Sequence, residues 1–134
     1  MEVQKETIAL FDQDKEYVID YLKSREVINQ KLDNIIYAYP FGLLKDTSFF
    51  VGEDEFGISH FLGKSDVLGY DIKKVNNLLD TKSLGIVAIA IIIGDDALCY
   101  DPKTNEVFLW MIQTGEGEKH HVSDDLTKFL SSFS

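Results

Sequence analysis

The sequence contains a single cysteine, two prolines and one tryptophan among 134 residues. Cys99 has no partner within the chain, so an intrachain disulfide is excluded. One thiol also cannot supply a thiolate metal cluster. A reducing compartment fits this cysteine content.

Long apolar runs are absent as well. The longest, Leu84 to Ile93, is about half the length of a spanning helix, and Asp95 and Asp96 follow it. The N-terminus, Met1 to Glu6, carries acids and lacks the apolar core of a signal peptide. We therefore expect no export signal, no membrane association and a cytoplasmic location.

Positive charge is scarce: 13 Lys and Arg face 23 Asp and Glu, which gives a formal net charge of −10. A negative field repels nucleic-acid phosphates and favours encounter with basic surfaces. Direct nucleic-acid binding is disfavoured and a cationic protein partner is favoured. The competing interpretation is that the acidic balance only keeps the protein dispersed.

Length and composition predict one domain over residues 1–134, with 45% hydrophobic and 27% charged residues as in globular proteins. Apolar residues at helical spacing predict four amphipathic helices. These cover Asp14 to Lys23, Asn29 to Ala38, Asp71 to Asp80 with Asp71 as N-cap, and a closing helix with Ser123 as N-cap.

Strand patterns occupy the segments between these helices. They predict a hairpin over Ser48 to Leu62 with an acidic loop at Gly52 to Gly57, a buried central strand over Ile86 to Ile93, and a second hairpin from Ala97–Tyr100 and Val107–Ile112. The fold class is therefore α+β. We expect a mixed or antiparallel sheet of about five to six strands, flanked by N-terminal helices and a C-terminal helix.

The residues that could act in catalysis are better explained by structural roles. His120 and His121 are adjacent, so in a strand they point to opposite faces and do not share a metal. Cys99 lies among apolar residues and is expected in the core. Trp110 is expected in the core as well, and the alternative is an anchor in a binding interface. Asp95, Asp96 and Asp101 can supply an acid and a base, but at strand ends and turns such residues usually accept backbone hydrogen bonds. We expect no enzyme, no metal and no cofactor.

The order of motifs resembles the SUKH superfamily. The matching segments are Phe61-Leu62-Gly63, an apolar strand ending near Gly94-Asp95, Leu98-Cys99-Tyr100-Asp101, Glu106-Val107-Phe108-Leu109-Trp110, and the terminal helix of Ser123 to Leu130. The match spans roughly Phe49 to Phe133, and residues 1 to 45 differ from the opening typical of the family. Membership implies an α+β fold and a protein-binding role, most often as a bacterial immunity protein against a toxin. Fungal relatives regulate cell-wall synthesis.

The function expected from this resemblance is toxin neutralisation by a non-enzymatic binding module, with the acidic surface facing a basic toxin domain, for example a nuclease. The expected partner-binding residues are Glu53, Asp54, Glu55, Asp95, Asp96, Glu116 and Glu118. The alternative is a regulatory scaffold or a small-ligand module of the same fold. We expect a monomer or a weak homodimer.

Overall fold

The computed structural model describes residues 2–3, 15–38, 44–45, 48–94, 96–111 and 118–132. The helices are α1 (Lys15–Ser24), α2 (Gln30–Ala38), α3 (Ile72–Leu78), α4 (Thr81–Leu84) and α5 (Leu126–Ser131), and a 3-10 turn covers Leu68–Tyr70. The strands are β1 (Glu2–Val3), β2 (Leu44–Lys45), β3 (Ser48–Val51), β4 (Asp54–Phe61), β5 (Val87–Ile92), β6 (Ala97–Tyr100), β7 (Val107–Met111) and β8 (Glu118–Ser123).

Strands β3 to β8 form one antiparallel sheet in which each strand pairs with the next along the chain. The short strands β1 and β2 form a separate antiparallel ribbon. The main sheet curves until β3 lies close to β8, and Phe49 of β3 meets Phe129 of α5 edge to face at 5.5 Å. The predicted α+β class is confirmed, with N-terminal helices and a C-terminal helix flanking a six-stranded sheet.

The predicted central strand is confirmed as β5, which lies between β4 and β6. All six of its residues are buried, as are all four of β6. Its β-branched side chains suit a strand that is covered on both faces. The predicted hairpin after it is formed by β6 and β7, and Asn105 turns the chain with φ at 67°.

The two N-terminal helices bury the faces that their periodicity predicts. Val18 and Leu22 of α1 and Leu32 and Ile35 of α2 are buried in the common core. The Asn29 Oδ1 atom accepts a hydrogen bond from the Leu32 amide and so caps α2. The cap at Asn29 and the buried face of α2 thus agree on where this helix begins.

Helix α3 is held to the sheet by a buried polar network. Asp71 is its N-cap, as predicted, and its carboxylate accepts a hydrogen bond from the Lys74 amide. The side chain of Asn76, 2% exposed, donates to the carbonyls of Ile72 and Ala88 and accepts from the Ala88 amide and the Thr81 hydroxyl. Every hydrogen-bonding atom of this amide is therefore satisfied inside the protein.

Two local predictions need correction. The N-cap of α5 is Asp125, whose side chain accepts from the Lys128 amide, whereas Ser123 ends β8 and bonds the Asp125 backbone. Both residues are capping types, and strand pairing keeps Ser123 in the sheet. The first hairpin turns at Gly52 and Glu53 alone, because pairing with β3 continues to Asp54.

Candidate functional site: the acidic end of the sheet

Successive antiparallel strands place every second turn at the same end of a sheet. The connections β3–β4, β5–β6 and β7–β8 therefore leave from one end. The predicted partner-binding residues in the described part of these hairpins are Glu53, Asp54, Glu55, Asp96 and Glu118. Their placement defines what we call the acidic end. The order of the strands brings together residues that are far apart in the sequence.

The predicted residues hold different positions at this end. Glu53 lies in the first turn, while Asp54 and Glu55 begin β4 and are exposed. Asp96 is half-buried before β6, and its carbonyl accepts from the Ile92 amide at 2.8 Å. Glu118 begins β8 opposite Met111. Two further predicted residues, Asp95 and Glu116, lie outside the described residues.

The β3–β4 hairpin projects its acids into solvent. The turn is tight because Gly52 adopts a φ of 63°, which L-residues rarely adopt. Within the described part of the chain, Glu53, Asp54 and Glu55 form no ion pair. Their charges are therefore uncompensated locally and contribute directly to the field at this end.

Two apolar residues at the acidic end were missed by sequence reasoning. Phe50, 62% exposed, lies opposite Glu55, while Phe49 beside it is buried. Ile93, 69% exposed, follows β5 at the turn toward β6. In the sequence Phe50 belongs to an apolar run, and only the strand register shows that it faces outward. Exposed aromatic residues among charges are typical of binding surfaces.

Asp96 and Asp101, the two described residues among the aspartates considered for acid–base chemistry, are not brought together. Asp96 precedes β6 and Asp101 follows it, so they flank opposite ends of this strand. At about 3.3 Å per residue their backbones lie about 16 Å apart. The Asp101 carboxylate instead accepts from the Lys103 amide at 2.9 Å. Its role in the hairpin is that of a turn residue.

The adjacent histidines face opposite sides of the sheet, since His120 pairs with Leu109 and His121 with Phe108. His121 contacts the Glu106 carboxylate at 2.7 Å through Nδ1. Hydrogen bonds from Lys119 and then His121 lower the pKa of Glu106. This cluster is an exposed cross-strand ion network. Among the described residues no group of three His, Cys, Asp or Glu is arranged to hold a metal ion.

The remaining reactive side chains are occupied or buried. Cys99 is fully buried, and burial raises the pKa of its thiol to about 12, which keeps it protonated and poorly nucleophilic. His60, 4% exposed, bonds the Gly69 carbonyl through Nε2 and the Ser59 hydroxyl through Nδ1. Trp110 is half-buried and packs edge to face on Phe108. These contacts give each residue a structural role.

None of the helices in the described ranges combines the length and apolar character that crossing a membrane requires. No family model matches the chain, and comparison with curated proteins and with solved structures finds no significant match.

Proposed function

We propose that this chain is a non-enzymatic protein-binding module that neutralises a cationic bacterial toxin, as immunity proteins of the SUKH type do. The observation that carries the proposal is the convergence of three acid-bearing hairpins at one end of the sheet, with Phe50 exposed among them. The partner is a basic protein domain, for example a nuclease whose cationic face contacts nucleic acid.

Charge and apolar contact contribute to different steps of binding, the first to encounter and the second to affinity. A surface with unpaired carboxylates accelerates encounter with a basic partner and sets its orientation. Affinity then depends on a few well-packed side chains near the centre of the interface, where aromatic residues dominate. Phe50 and Ile93 supply exposed apolar surface at the acidic end. An acidic protein that covers the cationic face of a nuclease also competes directly with its substrate.

The fold supports the resemblance to SUKH proteins. The matching motifs fall on consecutive antiparallel strands: Phe61 ends β4, Leu98 and Cys99 lie in β6, and Trp110 lies in β7. The C-terminal helix follows the last strand, as the resemblance implies. An antiparallel meander with most of its apolar residues inside leaves the turns and edges for binding.

The test begins with isolation of the partner by native co-purification and with the expression of any toxin that is encoded beside the gene. The association rate with that partner is measured by stopped flow as salt is raised. We expect the rate to fall steeply, because salt screens the field between charges beyond a Debye length of about 8–10 Å. A rate that does not change with salt contradicts the proposed electrostatic docking.

Matched variants locate the surface. The triple change Glu53→Gln, Asp54→Asn and Glu55→Gln removes three charges at the acidic end, and we expect association to slow by about ten-fold or more. The control Glu16→Gln, Asp20→Asn and Glu26→Gln removes the same charge from exposed positions on and just after α1. Equal slowing in both variants would mean that net charge alone, and not this end, drives encounter.

Phe50→Ala tests the apolar contact, and Ile28→Ala, at a residue that is 79% exposed, serves as its control. We expect the first to raise the dissociation rate and the second to leave it unchanged. In cells, the wild-type chain should rescue growth during toxin expression, while the triple variant combined with Phe50→Ala should not. Full rescue by that combined variant would place the binding face elsewhere.

A further inference from the structure

A second surface carries the opposite charge. A cavity of about 330 Å³ opens between α1, the loop after β4 and the start of α3, and Tyr17, Lys64, Val67 and Lys74 are among the residues that line it. Lys73 joins them, because its Nζ atom lies 4.5 Å from the centre of the Tyr17 ring. Three of the 13 cationic residues of an acidic protein thus converge on one opening.

Two of these lysines lack an anionic partner. Within the described residues, neither Lys73 nor Lys74 forms an ion pair; Lys74 Nζ donates only to the Asp66 carbonyl, and Lys73 only stacks on Tyr17. Although acids outnumber bases in this chain, two neighbouring lysines without an anionic partner contribute a positive field at this opening. Such a field attracts an anionic group from solution.

Two carboxylates of the described residues, Asp66 and Asp71, border this opening. Asp71 is 3% exposed, and its two oxygens accept from the amides of Ser65 and Lys74 and from the Tyr17 hydroxyl. These donors already satisfy it, and they hold the cavity wall in place. Asp66 is the exposed carboxylate at the rim. Among the described residues, three lysines therefore face two carboxylates, and one positive charge is in excess around the opening.

An apolar groove adjoins the cavity at the same loop. Its volume is about 280 Å³, and Leu68, Leu78, Leu79 and Ile91 line it. Leu68 and Leu78 are 49% and 67% exposed, and because both line this groove they form a contiguous apolar patch and are not isolated exposed leucines.

The cavity and the groove are adjoining parts of one surface. Val67 lines the cavity and the next residue, Leu68, lines the groove. Lys74 lines the cavity and Leu78, four residues later on α3, lines the groove. Residues four apart on a helix lie about 5–6 Å from each other on one face. A ligand that fits both parts therefore carries its charge directly beside its apolar portion.

We propose that this surface binds a small amphiphilic anion, a single-chain molecule with a carboxylate or phosphate head at Lys73 and Lys74 and an apolar chain along Leu68 and Leu78. Volumes of this size are at the lower end of those known for small-molecule sites. The head gains charge-assisted contacts, and the chain covers leucine surface that is otherwise exposed to water. This proposal is independent of the acidic end.

The test is a titration of the full chain followed by ¹H–¹⁵N spectra, with octyl phosphate and octanoate as probes. We expect saturable shifts confined to amides of residues 17, 59–60, 64–79 and 91. Octanol, which lacks the charge, and inorganic phosphate, which lacks the chain, should each bind at least about ten-fold more weakly. The stronger of the two anionic probes identifies the head group.

Matched variants separate charge from apolar contact. Lys73→Gln with Lys74→Gln should weaken binding of octyl phosphate about ten-fold or more, whereas the exposed pair Lys23→Gln with Lys128→Gln should not. Leu68→Ser with Leu78→Ser should weaken it similarly, and the exposed pair Ile28→Ser with Leu84→Ser should not. All these side chains are exposed, and the same spectra confirm that each variant is folded.

Several outcomes overturn the proposal. These are the absence of shifts at any probe concentration below micelle formation, equal binding of octanol, and equal weakening by test and control pairs. Binding only to vesicles of anionic phospholipid, with no binding of the monomeric probes, would replace the small ligand by a membrane surface. Binding only of an acidic, apolar peptide would replace it by a protein segment.

Discussion

Polar residues at the junction of α3 and β5 and polar residues at the acidic end of the sheet have opposite environments. Asn76 and Asp71 are buried, and each makes several hydrogen bonds within the protein. Glu53 and Asp54 are exposed and make no ion pair within the described residues. The first region uses its polar groups to fix the fold, and the second leaves them available to a partner.

Residue type alone does not reveal whether a carboxylate stabilises the fold or is available to a partner. Asp71 and Asp54 carry the same carboxylate, yet one satisfies backbone amides in the interior and the other faces solvent. A buried acceptor that loses its donors costs free energy, whereas an exposed one exchanges them for water. Stability measurements should therefore rank polar substitutions by burial, and binding measurements should rank them in the reverse order.

The largest loss of stability is expected for Asn76→Ala. The change leaves the buried amide and carbonyl of Ala88 without the side chain that bonds both of them. We expect the free energy of unfolding to fall by about 3 kcal/mol in urea titrations, since each unsatisfied buried group costs about 1–3 kcal/mol. The control Asn77→Ala, exposed on the same helix, should change it by less than about 0.5 kcal/mol. Equal effects would remove the distinction between the two regions.

A smaller loss is expected for Asp71→Ala, which removes the α3 N-cap and the acceptor of the Ser65 amide. Losing a cap costs about 1 kcal/mol, and the orphaned amide adds to that, so we expect about 2 kcal/mol. Asp66→Ala, at an exposed acid five positions earlier, is the matched control for charge. The midpoint of thermal or urea unfolding measures both variants, and a loss in Asp66→Ala as large as in Asp71→Ala would contradict the burial argument.

Glu106 is an intermediate case, because its side chain is partly exposed yet paired with Lys119 and His121. These contacts lower its pKa in the folded state below 4.5, so the unfolded chain binds the proton more readily as pH falls. The stabilisation is complete above about 4.5 and is lost as pH falls through the folded pKa. Unfolding measured across this range should show a shallower acid slope for Glu106→Gln than for the wild type. Identical slopes would show that the network contributes nothing.

The smallest effect is expected for Glu53→Gln with Asp54→Asn and Glu55→Gln. These side chains are exposed and unpaired among the described residues, so unfolding free energy should change by less than about 0.5 kcal/mol in the same urea assay. A modest gain in unfolding free energy is consistent with this expectation, because the substitutions remove the repulsion among three adjacent like charges. A loss above about 1 kcal/mol would assign these acids a structural role and would break the comparison.

Much of the architecture could be predicted because local patterns and burial agree. The apolar run of β5, the helical spacing in α1 and the capping residue Asp71 each gave an element that the structure confirms. The ends of helices and strands were harder to predict where capping preference and strand pairing favour different boundaries. Ser123 is a good capping residue, but pairing with Val107 keeps it in β8 and transfers the cap to Asp125. Local propensity yields when cross-strand pairing extends an element.

The candidate surfaces depended more strongly on the tertiary structure. An acidic composition could be read from the sequence, and so could the individual acids, but not their meeting at one end of the sheet, which strand order decides. The outward orientation of Phe50 and the convergence of Lys64 with Lys73 and Lys74 were likewise invisible.

The sequence by itself determined the class of this protein: an acidic α+β domain whose apolar periodicity specifies most of its helices and strands. The tertiary structure alone decided which polar side chains are buried and hydrogen-bonded within the protein and which are exposed to solvent. The physical reason is that periodicity acts over neighbouring residues, whereas burial and register follow from contacts between segments that are distant along the chain.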